Sequence, residues 1–181
     1  MTSQCYVAFV RGINVGRAKR IAMADLRTLV EGLGYTGVRS LLNSGNVVFH
    51  AADTTAPDAA AAIEEALVLR LGVAARVFVL DHGELAAIIG ANPLLGVAHD
   101  PARLIVFLLG DAAGRKGLAA LDGQDWGCEQ LALGERAAYV WCPEGMLASA
   151  AAKSLGKLLG DGTTSRNWST LTKLHALCGE G

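Results

Sequence analysis

The order of short apolar segments in residues 5–80 is the feature that most limits what this chain can fold into. The opening run CYVAFV predicts a strand, and an amphipathic helix follows from Met23 until Gly34 stops it. Two strand-like runs separated by the turn residues NSGN predict a hairpin. Thr55 and Pro57 then open a second helix, and AARVFVL predicts a further strand. This order of strands and helices is that of the split βαβ, or ferredoxin-like, arrangement.

The second half of the chain repeats this order imperfectly. A connecting helix that ends at Asn92 leads into the strand RLIVFLL, the short helix RKGLAAL, a hairpin around Gly134 and an alanine-rich helix. Where a fourth strand should follow, GTTSRNWSTLTKLHAL predicts a helix capped by Thr164 or Ser165.

These patterns predict an α+β protein of duplicated ferredoxin-like lobes with antiparallel sheets and an extra C-terminal helix. We expect the lobes to cover residues 1–81 and 82–181, with the boundary near Leu80 to Gly83. A single domain with one continuous sheet is the alternative.

The composition is that of an ordinary globular protein, with 52% hydrophobic and 18% charged residues, which argues against intrinsic disorder. No apolar run reaches the roughly 18 residues of a membrane span, and the N-terminus lacks the features of a signal peptide. Four cysteines without CxxC spacing predict buried, reduced thiols. We therefore expect a cytoplasmic protein that does not bind membranes.

Charge is distributed unevenly along the chain. The net charge is +4 in residues 1–50, −5 in residues 51–100, −2 in residues 101–150 and +2 in residues 151–181. Solvated surfaces alone would produce this pattern, but two basic ends could also meet around an anion.

Several common catalytic and binding motifs are missing from the sequence. Gly12 and Gly16 are spaced too widely for a GxGxxG dinucleotide loop, and neither a GxxxxGK[ST] phosphate loop nor a GxSxG nucleophile elbow is present. The four histidines lack HExxH or Cys/His spacing. The sequence therefore predicts no metal site and no cofactor, and it indicates no catalytic residue.

The stretch RGINVGRAKR after the first strand is the first candidate site. Because strands one and two of a split βαβ run parallel, the loop after strand one and the hairpin after strand two leave the same edge of the sheet. This places Arg11, Gly12, Asn14 and Gly16 near the hairpin residues Asn43, Ser44, Gly45 and Asn46. An arginine, exposed backbone N–H groups and amide donors suit a phosphate or carboxylate.

A purely structural interpretation of the same residues remains open. The glycines could serve only to allow positive φ, and the asparagines could be what a tight hairpin requires. Arg17, Lys19 and Arg20 could extend the positive field, although we interpret them first as solvated surface.

The predicted C-terminal helix is the second candidate site. Thr163 to Ser165 would lie at its N-terminus, where the helix dipole attracts anions. Arg166, Thr170 and Lys173 would form a basic stripe along its polar side, so Arg166, Asn167 and Lys173 could close the first site. Asn167 could instead bond only to neighbouring backbone.

Four sequence blocks in this order resemble a known family. They are RGINVG, then Met23 to Arg27, then SGNVVF and TSRNWSTLTKL, and together they resemble the domain-of-unknown-function family 1697. The resemblance implies a bacterial protein of two ferredoxin-like lobes and no established activity. This chain departs from the family at Arg17, where a glycine is usual, and at Leu41 and Asn43, where an aromatic residue and a glutamine are usual.

Three classes of function are compatible with the sequence. Binding of a small phosphorylated or otherwise anionic ligand ranks first. Nucleic-acid binding on a sheet face ranks second, because Phe9 and Phe49 alternate as core residues do and the pI is about 6.4. Acylphosphatase-like hydrolysis, with Arg11 and Asn43 in the site, ranks third by analogy of architecture. The sequence does not indicate an oligomeric state.

Overall fold

The computed structural model describes residues 2–17, 19–110 and 112–180 of the chain. Within these residues it contains eight strands and six α-helices. The strands are β1 (Gln4–Val10), β2 (Thr36–Leu41), β3 (Asn46–Ala51), β4 (Val77–Asp81), β5 (Leu104–Leu109), β6 (Gln130–Leu133), β7 (Ala137–Trp141) and β8 (Thr163–Asn167). The helices are α1 (Met23–Glu31), α2 (Ala56–Leu71), α3 (His82–Gly90), α4 (Ala112–Leu118), α5 (Ala150–Leu159) and α6 (Trp168–Gly179).

The first lobe is a four-stranded sheet in the order β2-β3-β1-β4 with antiparallel neighbours throughout. Alternate residues of β1 (Tyr6, Ala8, Val10) pack in one core with Leu26 of α1 and Ile63 of α2. This alternation is what a strand with one face against two helices requires. The split βαβ arrangement predicted from the order of elements is confirmed.

The second lobe repeats the topology, with its sheet in the order β6-β7-β5-β8 and antiparallel neighbours. Its core gathers Ile105 and Phe107 of β5, Val140 of β7, Leu118 of α4 and Leu155 of α5. The prediction of duplicated lobes with antiparallel sheets and a C-terminal helix is therefore confirmed.

Both ends of α2 are where the sequence places them, whereas α1 ends at Glu31, before the predicted stop at Gly34. The side chain of Thr55 accepts a hydrogen bond from the Asp58 backbone N–H, which satisfies one N–H group of the first turn of α2. Gly72 ends α2 in the left-handed conformation with φ of +65°.

The segment before α6 corrects one prediction. Thr163 to Asn167 form β8, the fourth strand that we expected to be missing, and α6 begins only at Trp168. The strand pairs with β5 from Thr163–Leu109 to Asn167–Ile105, and the Thr163 hydroxyl donates to the Leu108 carbonyl. Pairing with β5 satisfies the polar backbone of this segment, which local propensity alone assigns to a helix cap.

The cysteines correct a second prediction. Cys5 and Cys178 form a disulfide across a sequence separation of 173 residues, whereas we expected reduced thiols. Cys128 is free and exposed; Cys142 is free and buried, and burial raises the pKa of its thiol.

The chain divides into two compact units. One comprises Met1–Ala86 together with Lys173–Gly181, and the other comprises Ala87–Thr172, so the division falls within α6. Among the described residues, no helix is long and apolar enough to cross a bilayer.

Candidate functional site

The connection between β1 and α1, residues 11–22, has an unusual backbone. Gly12, Asn14 and Gly16 have φ values of +70°, +55° and +64°, and Lys19 has +50°. Left-handed residues therefore alternate with others along the first half of the loop. Left-handed residues recur in nests, the anion-binding concavities that successive backbone N–H groups form in proteins.

Asn14 holds this loop in shape. Its Nδ2 donates to the Ile21 carbonyl at 2.8 Å and to the Asn43 carbonyl at 2.7 Å, and its Oδ1 accepts from the Ile21 N–H at 2.8 Å. Its own N–H donates to the Lys19 carbonyl at 3.1 Å. The side chain that we expected to bind a ligand is engaged in structure, which supports the structural interpretation for this residue.

The loop and the β2–β3 hairpin lie together, as the topology predicts. The Val10 N–H donates to the Gly45 carbonyl at 2.9 Å, beside the bond between Asn14 and Asn43. A Cβ atom on Gly45, which has φ of +83°, would lie only 2.9 Å from Ile13 Cδ1. Glycine is required here because the buried side chain of Ile13 seals the loop against the hairpin.

The hairpin residues differ in what they can offer a ligand. Asn46 is fully buried, and its Nδ2 donates to the Leu41 carbonyl at 3.0 Å and to the Ser44 Oγ at 2.9 Å. Ser44 is exposed at the turn. Asn46 therefore shapes the hairpin, and Ser44 is the hairpin side chain at the surface.

The positive charge of the loop is at its surface. Arg17, Lys19 and Arg20 are exposed, and none of them forms an ion pair within the described part of the chain. Arg11 is half-buried, and its N–H donates to the Arg76 carbonyl at 2.9 Å. The three residues that we first interpreted as solvated surface are thus the cations presented most openly by the loop.

The helix that follows adds to the positive potential. No side-chain hydrogen bond caps the N-terminus of α1 at Ala22, although Asp25 lies in its first turn. The N–H groups and dipole of a helix N-terminus favour an anion nearby. Arg20 lies two residues before the N-cap residue Ala22, so its charge is close in sequence to this helix end.

The second lobe provides an internal comparison. There the corresponding connection is very short, since β5 ends at Leu109 and α4 begins at Ala112. The βαββαβ topology therefore does not need the long basic loop that joins Val10 to Met23 in the first lobe.

The C-terminal candidates lie on two different elements. Arg166 is in β8, where its guanidinium donates to the Thr164 hydroxyl and the Ser165 carbonyl, and burial lowers its pKa to about 10. Asn167 accepts from the Thr170 N–H at 2.9 Å and so caps α6, as the structural alternative predicts.

The basic stripe predicted on one helix does not exist. Arg166 precedes α6, Thr170 is buried, and Lys173 is exposed within the helix. Likewise, Thr163 to Ser165 cannot form a helix N-terminus, because they belong to β8.

A surface cavity in the second lobe was not anticipated from the sequence. It has a volume of about 370 Å³ and is lined by residues 122–127 and 129–131. Its carboxylates are those of Asp122, Asp125 and Glu129, and Glu129 already accepts from the Ser149 hydroxyl and the Ala150 N–H. This acidic lining does not suit an anion.

Comparison with known proteins supports the fold and a family. Residues 3–139 match the family model described as "Protein of unknown function (DUF1697)". The TSRNWSTLTKL block lies outside the matched range. The chain is also similar to a solved structure, the conserved bacterial protein SP0830 from Streptococcus pneumoniae, with 25% identity and a TM-score of 0.80. The similarity covers 98% of this chain and 99% of that one. No curated protein matches the chain.

Proposed function

The chain belongs to the family of unknown function DUF1697, and we propose that it binds a small phosphorylated or otherwise anionic ligand at the basic loop. The observation that carries the proposal is a long loop between β1 and α1 that the duplicated topology does not need. It presents Arg17, Lys19 and Arg20 at the surface and contains no acidic residue in residues 11–20.

The roles within the site follow from the contacts. Arg17, Lys19 and Arg20 supply charge, and the exposed backbone at Gly12 and Gly16 supplies N–H donors. Asn14 and Gly45 hold the loop against the hairpin, Asn46 shapes the hairpin, and none of the three touches the ligand. A loop fixed in advance loses less conformational entropy when it binds.

Arg11, the first residue of the loop, and Ser44 of the neighbouring hairpin are proposed as secondary ligand contacts. Arg166, Asn167 and Lys173, which we expected to close the site from the C-terminal end, remain a prediction for the same ligand.

Thermal stability in the presence of inorganic pyrophosphate tests the proposal. A ligand that binds only the folded state stabilises it by RT ln(1 + [L]/Kd) and thereby raises the melting temperature. The triple variant Arg17→Gln/Lys19→Gln/Arg20→Gln should lose the shift. A charge-matched control, Arg115→Gln/Lys153→Gln/Lys157→Gln, removes three exposed cations of the second lobe and should keep it.

Two outcomes of this experiment would count against the proposal. An equal shift in the loop variant and in wild type would show that the loop is not the site. An equal loss in both triple variants would show that only net charge matters.

Nucleic-acid binding on the sheet face is less well supported than anion binding. The single-strand-binding mode of ferredoxin-like modules needs exposed aromatic residues on the central strands. Phe9 of β1 and Phe49 of β3 are both fully buried. If the protein binds a single-stranded oligonucleotide with an affinity that falls steeply as the salt concentration rises, nucleic-acid binding would be supported.

Acylphosphatase-like hydrolysis remains the third function, with Arg11 and Asn43 as the residues in question. The Asn43 carbonyl accepts from Asn14, and its side chain is at the exposed turn. Turnover of a generic acyl phosphate that disappears in Asn43→Ala would support hydrolysis over simple binding.

A phosphorylated or otherwise anionic ligand also favours a cytoplasmic location for the protein. The exposed free thiol of Cys128 favours the same location. The Cys5–Cys178 disulfide points the other way, because cytoplasmic disulfides are usually transient or redox-sensing. Cell fractionation with an antibody to the protein tests the location.

A further inference from the structure

Two cysteines and two histidines lie together in the first unit. Cys5 is in β1, His82 is the first residue of α3, and His175 and Cys178 lie one turn apart on α6. Cys5 and Cys178 are joined by the disulfide with a Cα–Cα distance of 5.7 Å. The rings of His82 and His175 stack with centroids 4.7 Å apart.

Sheet register explains why the two pairs are neighbours. The pairing of β1 with β4 ends at Tyr6 and Asp81, and Cys5 and His82 are each one residue beyond this last pair. A Cβ atom on Gly179 would lie 3.9 Å from His82 Nε2, so this nitrogen lies against the last turn of α6, the turn that also contains Cys178.

Two hydrogen bonds hold the backbone on either side of His82 at the start of α3. The Asp81 N–H donates to Glu84 Oε2 and the Glu84 N–H donates to Asp81 Oδ1, a reciprocal pair that caps the start of α3. His82 Nε2 is nevertheless buried without a hydrogen-bond partner among the described residues. A buried polar atom in this state calls for an explanation, because leaving it unsatisfied costs free energy.

Thiolates and imidazole nitrogens are the ligands that structural zinc sites use. We propose that reduction of the Cys5–Cys178 disulfide converts this cluster into a Cys₂His₂ site for Zn²⁺, with His82 and His175 as the other two ligands. While Cys5 and Cys178 are bonded to each other, no group of three or more His, Cys, Asp or Glu side chains in the described part of the chain could hold a metal. The site forms only after reduction.

The chemistry balances in two steps. Two molecules of a low-molecular-weight thiol are oxidised to their disulfide, and the two cysteine sulfurs each gain a proton and an electron. Zn²⁺ then displaces both thiol protons to solvent as it binds the two sulfurs. Zn–S bonds of about 2.3 Å in tetrahedral geometry place the sulfurs about 3.8 Å apart, a separation that side-chain rotation can supply.

Cobalt titration of the reduced protein tests this site. The protein is reduced with a phosphine, desalted without oxygen and titrated with Co²⁺, whose thiolate complexes absorb in the near ultraviolet. We expect a charge-transfer band and tetrahedral d–d bands that saturate at one equivalent and vanish when Zn²⁺ is added. The oxidised protein should show neither, a control that needs no mutation.

Cysteine and histidine variants identify which residues bind the metal ion. Cys128→Ser/Cys142→Ala should keep the bands, whereas Cys5→Ser/Cys178→Ser should lose them. His82→Gln or His175→Gln should lose the tetrahedral d–d pattern, with folding of each variant checked by near-ultraviolet circular dichroism. Equal bands in the oxidised protein, bands that survive loss of Cys5 and Cys178, or no bands in the reduced and folded protein would each overturn the proposal.

Discussion

Asn14 shows how one polar side chain can fix the shape of the basic loop. Its side chain makes three hydrogen bonds of 2.7–2.8 Å, one of which reaches across to the hairpin at Asn43. Its φ of +55° is a conformation that asparagine tolerates better than most residues. The residue thus supports the site without contributing a free donor.

We expect Asn14→Ala to lower the free energy of unfolding by about 2–3 kcal/mol, since each lost hydrogen bond contributes about 1 kcal/mol. Asn14→Asp keeps the acceptor for the Ile21 N–H but places a carboxylate oxygen against the Ile21 and Asn43 carbonyls, so it should cost at least as much as Asn14→Ala. Urea unfolding measures both variants. A loss below about 0.5 kcal/mol for Asn14→Ala would contradict the structural role.

Substitutions at two glycines of the site distinguish the cost of backbone strain from the cost of steric overlap. Gly12 has φ of +70° and open space where an added methyl group would lie, whereas a Cβ on Gly45 would meet Ile13 Cδ1 at 2.9 Å and Val10 Cβ at 3.0 Å. Gly12→Ala should cost about 1 kcal/mol from its left-handed backbone alone. Gly45→Ala should cost about 1–3 kcal/mol more, because the core must also shift. If thermal unfolding shows equal losses of stability in the Gly12→Ala and Gly45→Ala variants, the core relieves the overlap at Gly45 at no cost.

At the scale of elements, local sequence signals predicted most of the fold. The cap at Thr55, the stop at Gly72 and the hairpin turn act through neighbouring residues, so they can be read from the sequence directly. Strand β8 could not be read in this way. Its sequence TTSRN resembles a helix cap, and only pairing with β5 in the folded chain makes it a strand.

Arg39 of β2 stabilises the last turn of α6. Its Nη2 donates to the Leu177 carbonyl at 2.6 Å, and its Nη1 lies 3.3 Å from Glu180 Oε2. A cation here satisfies a carbonyl at the helix end and interacts favourably with the helix dipole. The ion pair is exposed on both sides and should contribute little.

Arg39→Ala should therefore lower the free energy of unfolding by about 1–2 kcal/mol, mainly through loss of the bond to Leu177. Glu180→Gln removes only the ion pair and should change stability by less than about 0.5 kcal/mol. Chemical denaturation of the two variants compares them directly. A larger loss in Glu180→Gln than in Arg39→Ala would reverse this assignment.

At the scale of the molecule, the disulfide joins the first strand to the last helix. Cross-linking residues 173 apart restricts the unfolded chain strongly, and the chain-entropy model gives about 5 kcal/mol for loops of this length. Reduction in the presence of a chelator should lower the free energy of unfolding by about 2–5 kcal/mol. Cys5→Ser/Cys178→Ser should start at the lower value and not respond to reductant. A wild-type protein whose stability is unchanged by complete reduction would contradict this expectation.

The site could be predicted from the sequence only in part. Topology correctly brought the loop to the hairpin, because strand direction alone decides which ends share an edge. It could not reveal that Asn14 and Asn46 are engaged in structure, which depends on atomic contacts. Nor could spacing reveal the cluster of Cys5 and Cys178 with two histidines, because its members come from distant parts of the chain.

The basic loop is the proposed binding site for anions. An amide ¹H–¹⁵N correlation spectrum recorded during titration with pyrophosphate tests it residue by residue. We expect saturable shifts concentrated at Gly12, Gly16, Arg17 and Arg20, with the amides of the second lobe outside β8 unmoved. Shifts that do not saturate, or that concentrate outside the loop and hairpin, would show that the basic loop is not the anion-binding site.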